Sequence, residues 1–268
     1  AQADGSQVAT WTDRVNYISV TQATLGARPL YDTDGLNGKP SVNFDGVDDF
    51  LSLTATNPVS TATSGSVVMV VVPTAVSSGL RVIWNTNKYS SNYRYLNMYT
   101  DAAYLGVQVS PADVGVGRYQ QGGILATQPG VLDVTSVGVY NDWQIRINNS
   151  SLTSFSTGGA GSTSIRGGWF GDVLDRDRFT IGRMERSSGS SYFWGGRIAY
   201  LGVFDSPLST QDRYNLYKWI ESYYGITGMP GLSDYEQAVV SDGAIGYWPL
   251  GGGATDPDSS GNGHDLTW

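Results

Sequence analysis

The chain alternates apolar and polar positions with a period of two over short stretches broken by turn residues, the pattern of strands with one buried face. In residues 93–100, Tyr93, Tyr95, Asn97 and Tyr99 share one side while Leu96 and Met98 take the other, so one face is core and the other amphipathic. In residues 143–148, Trp143, Ile145 and Ile147 point inward and Gln144, Arg146 and Asn148 outward. Residues 66–73 form an unbroken Val-rich run closed by Pro73, the length of a strand buried on both faces at the centre of a sheet. Further strands are expected at residues 135–140, 179–183 and 197–204. Residues 41–44 and 50–53 read as two strands joined through Asp45-Gly46-Val47-Asp48-Asp49, and the turn residues between them predict a hairpin.

The period changes to 3.6 once. Residues 210–223 are predicted to form a helix with Ser209 as its N-cap, Asp212 three residues on in the capping-box position and Gly225 just past its end. Leu216, Trp219, Ile220 and Tyr223 fall on one stripe, so the helix is expected to cap an all-β domain. Residues 227–243 then read as a Gly- and Pro-punctuated linker with a short helix, and residues 244–268 as a strand running into a Gly-rich tail.

Composition narrows the class. With 35 Gly, 17 Tyr and 8 Trp and only 15% charged residues, the chain has the make-up of many short strands joined by tight turns. The formal net charge of −8, with 16 Lys and Arg spread without a cluster, argues against nucleic acid as a partner. Cysteine is absent, which excludes disulfides and thiolate metal sites. The most apolar run, residues 67–72, is too short to cross a bilayer, so no membrane insertion is expected.

Several runs then resemble one family in order and spacing. They are Trp11-Thr12-Asp13, Arg28-Pro29, the extended segment from Leu36-Asn37-Gly38 through Phe44-Asp45-Gly46-Val47-Asp48-Asp49-Phe50-Leu51, Ile181-Gly182-Arg183, Phe193-Trp194-Gly195-Gly196-Arg197-Ile198, and Leu208-Ser209 leading into the helix. Together they cover most of the first 225 residues and resemble the laminin-G-like branch of the concanavalin A-like lectin and glucanase superfamily. The resemblance implies an all-β fold, a jelly-roll β-sandwich of two curved antiparallel sheets with one C-terminal capping helix. It also divides the chain into one module at residues 1–226 lacking its first strand and the opening of a second, truncated one at residues 244–268. Such modules occur in tandem in bacterial surface proteins and in bacteriophage tail, fibre and capsid-attached proteins, which implies an extracellular or virion-surface location.

The chemistry of catalysis is not visible. Glycanases on this fold need paired carboxylates across the concave face, yet the three glutamates, Glu185, Glu221 and Glu236, are scattered, and no Glu-x-Asp-x-Glu strand exists. The sole histidine, His264, lies in the Gly-rich tail without a Gly-x-Ser-x-Gly elbow, which leaves no serine hydrolase triad. The expectation is therefore no enzyme.

Binding chemistry is better represented. Tyr93, Tyr95, Asn97 and Tyr99, together with Gln144, Arg146 and Asn148, combine aromatic planes for apolar sugar faces with amides for hydroxyls, which makes them the candidate carbohydrate site. The same tyrosines would also suit packing beneath a loop or against a neighbouring subunit. Asp172, Asp175 and Asp177 form an acidic loop able to offer oxygens to calcium, although Arg176 and Arg178 could neutralise it instead. Asp45, Asp48 and Asp49 fit turn hydrogen bonding better than a metal site. The partner is then a cell-surface glycan, bound by a recognition or adhesion module, or sibling domains and copies of the chain, packed as a structural decoration or fibre module in a homo-oligomer or virion assembly.

Overall fold

The computed structural model describes residues 2–54, 59–74, 79–101, 104–110, 117–122, 128–138, 143–151, 167–189 and 191–227, with the pairs 255–256 and 266–267. Two compact units emerge, residues 1–147 with 151–207, and residues 148–150 with 208–268. The expected strand at residues 244–250 and most of the expected linker lie outside the described residues.

The first unit is a sandwich of two antiparallel sheets. One contains β1 (Thr10–Thr12), β2 (Ser19–Thr21), β5 (Leu51–Thr54), β7 (Leu80–Asn87), β8 (Tyr95–Asp101), β9 (Tyr104–Ser110), β10 (Gly117–Gly122) and β14 (Arg178–Ile181). Its order is β1-β2-β5-β14-β7-β8-β9-β10. The other contains β3 (Leu30–Leu36), β4 (Lys39–Asp45), β6 (Gly65–Pro73), β11 (Gly130–Ser136), β12 (Gln144–Ile147) and β15 (Gly195–Phe204), in the order β12-β11-β6-β15-β4-β3, with the two-residue β13 (Ser150–Ser151) beyond β12. Residues 5–8 run along the outer edge of β3, where Gly5 donates to Tyr31, Tyr31 to Ser6 and Val8 to Pro29.

The period-two pattern builds the core directly. Leu96 and Met98 of β8, Leu105, Val107 and Val109 of β9, and Phe179 and Ile181 of β14 face Val67, Met69 and Val71 of β6, Leu132 and Val134 of β11, and Ile145 and Ile147 of β12. Each such side chain stabilises the fold by about 1.5–3 kcal/mol on burial. Trp84 stacks on Phe170 at 5.3 Å with the planes 10° apart and meets Phe179 at 6.4 Å. A bulge between Val82 and Trp84 allows Ile83 and Trp84 both to enter this core. As expected, the Val-rich β6 is central, paired with β11 and β15.

The predicted hairpin at residues 41–53 is a correction. β4 and β5 lie in different sheets, so Asp45–Asp49 is the corner that carries the chain across the core. Turn composition reports a reversal or bend but not whether the flanking strands pair. The strand expected at residues 135–140 is instead β11, which begins at Gly130 and ends at Ser136. Apolar Val137 and Val139 continued its alternation in the sequence, but Val137 is 49% exposed, and Val139 and Tyr140 lie outside the described residues.

In the second unit, α1 runs Thr210–Tyr224. Ser209 Oγ accepts the Asp212 backbone N–H at 3.1 Å, and Gly225 closes the helix with φ of 65°, both as the sequence predicted. The buried face is different from the predicted stripe: Arg213, Tyr217, Ile220 and Tyr224 are buried, whereas Trp219 and Tyr223 are exposed and stack at 5.3 Å. Aromatic residues occupy both neighbouring stripes, so spacing alone could not choose between them. Residues Thr255–Asp256 and Leu266–Thr267 pair as a short antiparallel ladder, β16 and β17. Among the described residues, no helix is long and apolar enough to cross a membrane.

Candidate functional site

The antiparallel register assembles a polar row across the outer face of the eight-stranded sheet. Thr21 pairs with Ser52, Ser52 with Thr180, Thr180 with Asn85, Asn85 with Asn97 and Asn97 with Gln108. A second row joins Arg178 to Asn87 and Asn87 to Tyr95. Because the opposite side chains on these strands fill the core, the period of two sends all of these outward.

That outward face is covered. The segment from Gly182 to Phe193 folds back across it: Gly182 donates to the Ile83 carbonyl, Val82 to the Tyr192 carbonyl, and Met184 pairs with Ser191. Side chains of the sheet reach up to it, Asn87 Nδ2 donating to the Glu185 carbonyl at 2.6 Å and Thr180 Oγ1 to the Arg183 carbonyl at 2.8 Å. Met184 of this segment packs on Val82, Tyr95 and Tyr99 of the sheet in a small apolar cluster.

The cover is fastened by charge. Glu185 lies 3.2 Å from Arg183 and 3.9 Å from Arg178, and the Arg183 guanidinium rests on the Phe50 ring. Arg178 lies over the Tyr89 ring at 4.6 Å.

The expected tyrosine strip is therefore divided. Tyr93 is 60% exposed, but Tyr95 is 6% exposed, and Asn97 and Tyr99 are fully buried, so these three are not part of an open sugar-binding surface. Alternation separates core from non-core faces but does not tell a solvated face from a covered one, and nothing in residues 93–100 signals a covering segment ninety residues later. Packing beneath a loop, the other reading of these tyrosines, describes Tyr95, Asn97 and Tyr99.

Gln144 and Arg146 do not join the tyrosines either. They point away from the core on β12, in the other sheet, and so lie on the opposite side of the sandwich. Gln144 is exposed, and its Oε1 accepts from Arg146 at 2.8 Å. Arg146 sits 3.8 Å from the fully buried carboxylate of Asp133 and so serves as a counter-ion of the fold. Asn148 takes a left-handed φ of 50° in the turn that follows β12.

The proposed calcium loop is also reassigned. Asp175 pairs with Arg94 at 2.6 Å. Asp177 accepts the Tyr89 backbone N–H at 2.7 Å and pairs with Lys88 at 3.2 Å. Asp172 accepts the Trp169 backbone N–H at 2.7 Å, and burial pushes its carboxyl above the usual range. Each carboxylate thus has its own separate partner, and the oxygens do not converge. Among the described residues, the group of three carboxylates within 4.8 Å of one another is Asp45, Asp48 and Asp49. Two of its members brace the corner, Asp45 Oδ1 accepting from the backbones of Val47, Asp48 and Asp49 and Asp49 Oδ2 from that of Asp45.

A surface opening lies where β7 turns into β8. Lys88, Ser90, Ser91, Asn92, Tyr93 and Arg94 line a groove of about 400 Å³. Its walls are held from outside by the Lys88 and Arg94 ion pairs, by Ser187 donating to the Tyr89 carbonyl at 2.8 Å and by Ser188 donating to Asn92 Oδ1 at 2.8 Å. An exposed aromatic ring beside hydroxyls and an amide, on a rim fixed by ion pairs, is equipped to stack on a sugar and bind its hydroxyls. Except for Tyr93, sequence reasoning missed these residues. The signal was present as Ser90-Ser91-Asn92, a polar break between two strand-like runs with an aromatic residue on each side.

No family model and no curated protein matches the chain. Solved structures do. A mutant NanB sialidase from Streptococcus pneumoniae superposes with a TM-score of 0.51 at 14% identity, over 65% of this chain and 26% of that one. The CBM40 of the Ruminococcus gnavus IT-sialidase, bound to α2,3-sialyllactose, gives 0.44 at 15% identity, over 59% of this chain and 83% of that one. A heptameric SAP-like pentraxin from Limulus polyphemus gives 0.44 at 17% identity, over 63% and 77%. The chain thus spans about a quarter of the sialidase. The fold is a jelly-roll β-sandwich of two antiparallel sheets, in agreement with the sequence expectation.

Proposed function

We propose that this chain is a non-catalytic carbohydrate-recognition module of the laminin-G-like kind, carried by an extracellular or surface protein, and that the Tyr93 groove is its saccharide site. The observation that carries this reading is the Tyr93 ring, 60% exposed beside Asn92 and two serines on a rim braced by ion pairs. An aromatic side chain has few rotamers to lose when a sugar stacks on it, and the neighbouring amide and hydroxyls supply orientation.

The non-catalytic part of the reading is supported by how the carboxylates are used. Most glycoside hydrolases use two of them facing one another across the substrate, about 5–9.5 Å apart. Glu185, the glutamate over the sheet face, is tied between Arg183 and Arg178, and Asp175 and Asp177 at the groove rim are tied to Arg94 and Lys88.

A broad glycan array followed by calorimetric titration tests the proposal. Binding is expected at micromolar to millimolar affinity and is lost in Tyr93→Ala. Absence of binding across the array, or binding untouched by Tyr93→Ala, overturns it.

A further inference from the structure

The lining of the groove carries two cations, Lys88 and Arg94, and no carboxylate; its other members are Ser90, Ser91, Asn92 and Tyr93. Each cation is met instead by an aspartate from the loop that leads into β14. Asp177 Oδ2 lies 3.2 Å from Lys88 Nζ, and Asp175 Oδ2 accepts from Arg94 Nη1 at 2.6 Å. The positive charges of the lining are therefore matched one for one, in a chain whose net charge is −8.

The two aspartates are held differently. Asp177 is anchored to the backbone, its Oδ1 accepting the Tyr89 N–H at 2.7 Å. Asp175 has 68% of its side chain exposed, against 27% for its partner Arg94. It sits in a turn at a left-handed φ of 50°, a conformation that aspartate and asparagine tolerate better than most residues. A solvated carboxylate of the chain itself thus engages the guanidinium that lines the groove.

We propose that Asp175 sets the charge selectivity of the groove: by engaging Arg94, it fits the site to a neutral saccharide and turns an acidic one away. This inference rests on the carbohydrate reading given above. A guanidinium is the natural partner of a sugar carboxylate, but this one already holds a carboxylate, and a second must displace the first or lie beside it. Like charges brought together in this way repel, which is how a surface suppresses a wrong partner. Hydroxyl groups meet no such penalty and find the Tyr93 ring, the Asn92 amide and the two serines.

The test uses neutral hexose oligosaccharides, each paired with the uronic acid of the same linkage, titrated against the whole chain and its variants. The neutral member is expected to bind the parent chain at least about tenfold more tightly than its acid. Asp175→Asn keeps the size and the backbone preference of the residue, and should raise affinity for the acid by about tenfold while leaving the neutral sugar unchanged. Adding Arg94→Gln to that variant should erase the gain. Asp48→Asn makes the same change of net charge at the other end of the sandwich, since Leu51 pairs with Ile181 whereas Asn87 pairs with Arg178, and should change neither affinity. Circular dichroism and melting of each variant establish that it is folded. If acids bind the parent chain as tightly as neutral sugars, if Asp175→Asn leaves the order unchanged, or if Asp48→Asn shifts it equally, the role of Asp175 falls while the Tyr93 groove stands. If no saccharide of any kind binds, both readings fall together.

Discussion

Asp45 and Asp49 hold each other's backbones: Asp49 Oδ2 accepts the Asp45 N–H at 2.9 Å, and Asp45 Oδ1 accepts the Asp49 N–H at 3.3 Å. The pair closes the corner where the chain leaves one sheet for the other. Gly46 is required there by its φ of 79° and because a Cβ would lie 3.2 Å from the Gly195 backbone. The corner is thus specified by three residues of the Phe-Asp-Gly-Val-Asp-Asp run.

The first prediction concerns pH. Burial, reinforced by the neighbouring charges of Asp45 and Asp48, pushes the Asp49 carboxyl up to about 6, against the opposing pull of the Asp45 N–H. A folded-state pKa raised above the unfolded value gives stability that is fully present below about 3.8 and is lost as pH rises through about 6. Between pH 5 and pH 7, this one group should cost the fold about 1 kcal/mol. Thermal melts across that window should show the decline, and Asp49→Asn, whose amide oxygen still accepts from Asp45, should flatten it. An unchanged slope in Asp49→Asn would rule this group out as the source.

The second prediction separates two tyrosines six residues apart. Tyr99 is fully buried, and its ring fills the space where a Cβ on Gly106 would lie 2.3 Å from Cζ. Tyr99→Ala should cost about 3 kcal/mol by opening a cavity. Tyr93→Ala, at an exposed position, should change stability by no more than about 0.5 kcal/mol while removing saccharide binding. Urea titration distinguishes the two, and equal destabilisation would show that the covering segment does not pack as described.

These residues also show what the sequence made legible. Strand periodicity located the core from local pattern, since Leu96, Met98, Ile145 and Ile147 are inward for reasons visible within a few residues. The helix cap was legible for the same reason, Ser209 and Asp212 being three residues apart. The candidate site failed wherever exposure depended on distant chain. Asn97 meets Met184, and Asp175 meets Arg94, across eighty or more residues, and no periodicity encodes such meetings. The hairpin failed similarly, because sheet membership of β5 is decided by its pairing with β14.

A third prediction follows from Arg146, moved here from a sugar-binding role to a structural one. Asp133, whose carboxylate lies 3.8 Å from Arg146, has no exposed surface and also accepts from Thr135 Oγ1 at 3.2 Å. Arg146→Ala removes a counter-ion from a buried charge, a change that costs about 3 kcal/mol where the pair is dry. Saccharide affinity should be unaffected, since β12 lies on the side of the sandwich opposite the groove. Denaturation midpoints together with titration check both halves, and a loss of affinity without loss of stability would return Arg146 to the binding surface.

The last prediction tests the fastening of the cover. Glu185 bridges Arg183 and Arg178, with the three side chains between 10 and 17% exposed. Glu185→Gln preserves the shape and leaves the backbone bonds to Asn87 in place, but it strands two guanidiniums in a poorly hydrated site. The segment from Gly182 to Phe193 should then open more readily, seen as faster hydrogen exchange at the Gly182, Met184 and Ser191 amides, whose acceptors are Ile83, Ser191 and Met184. The global cost should be about 1–3 kcal/mol, less than for a fully buried pair because solvent reaches the edge of the network. Saccharide binding at Tyr93 should be unchanged, and faster exchange with unchanged binding would separate fastening from recognition. Unchanged exchange would mean that the backbone ladder, rather than the ion pairs, holds the cover in place.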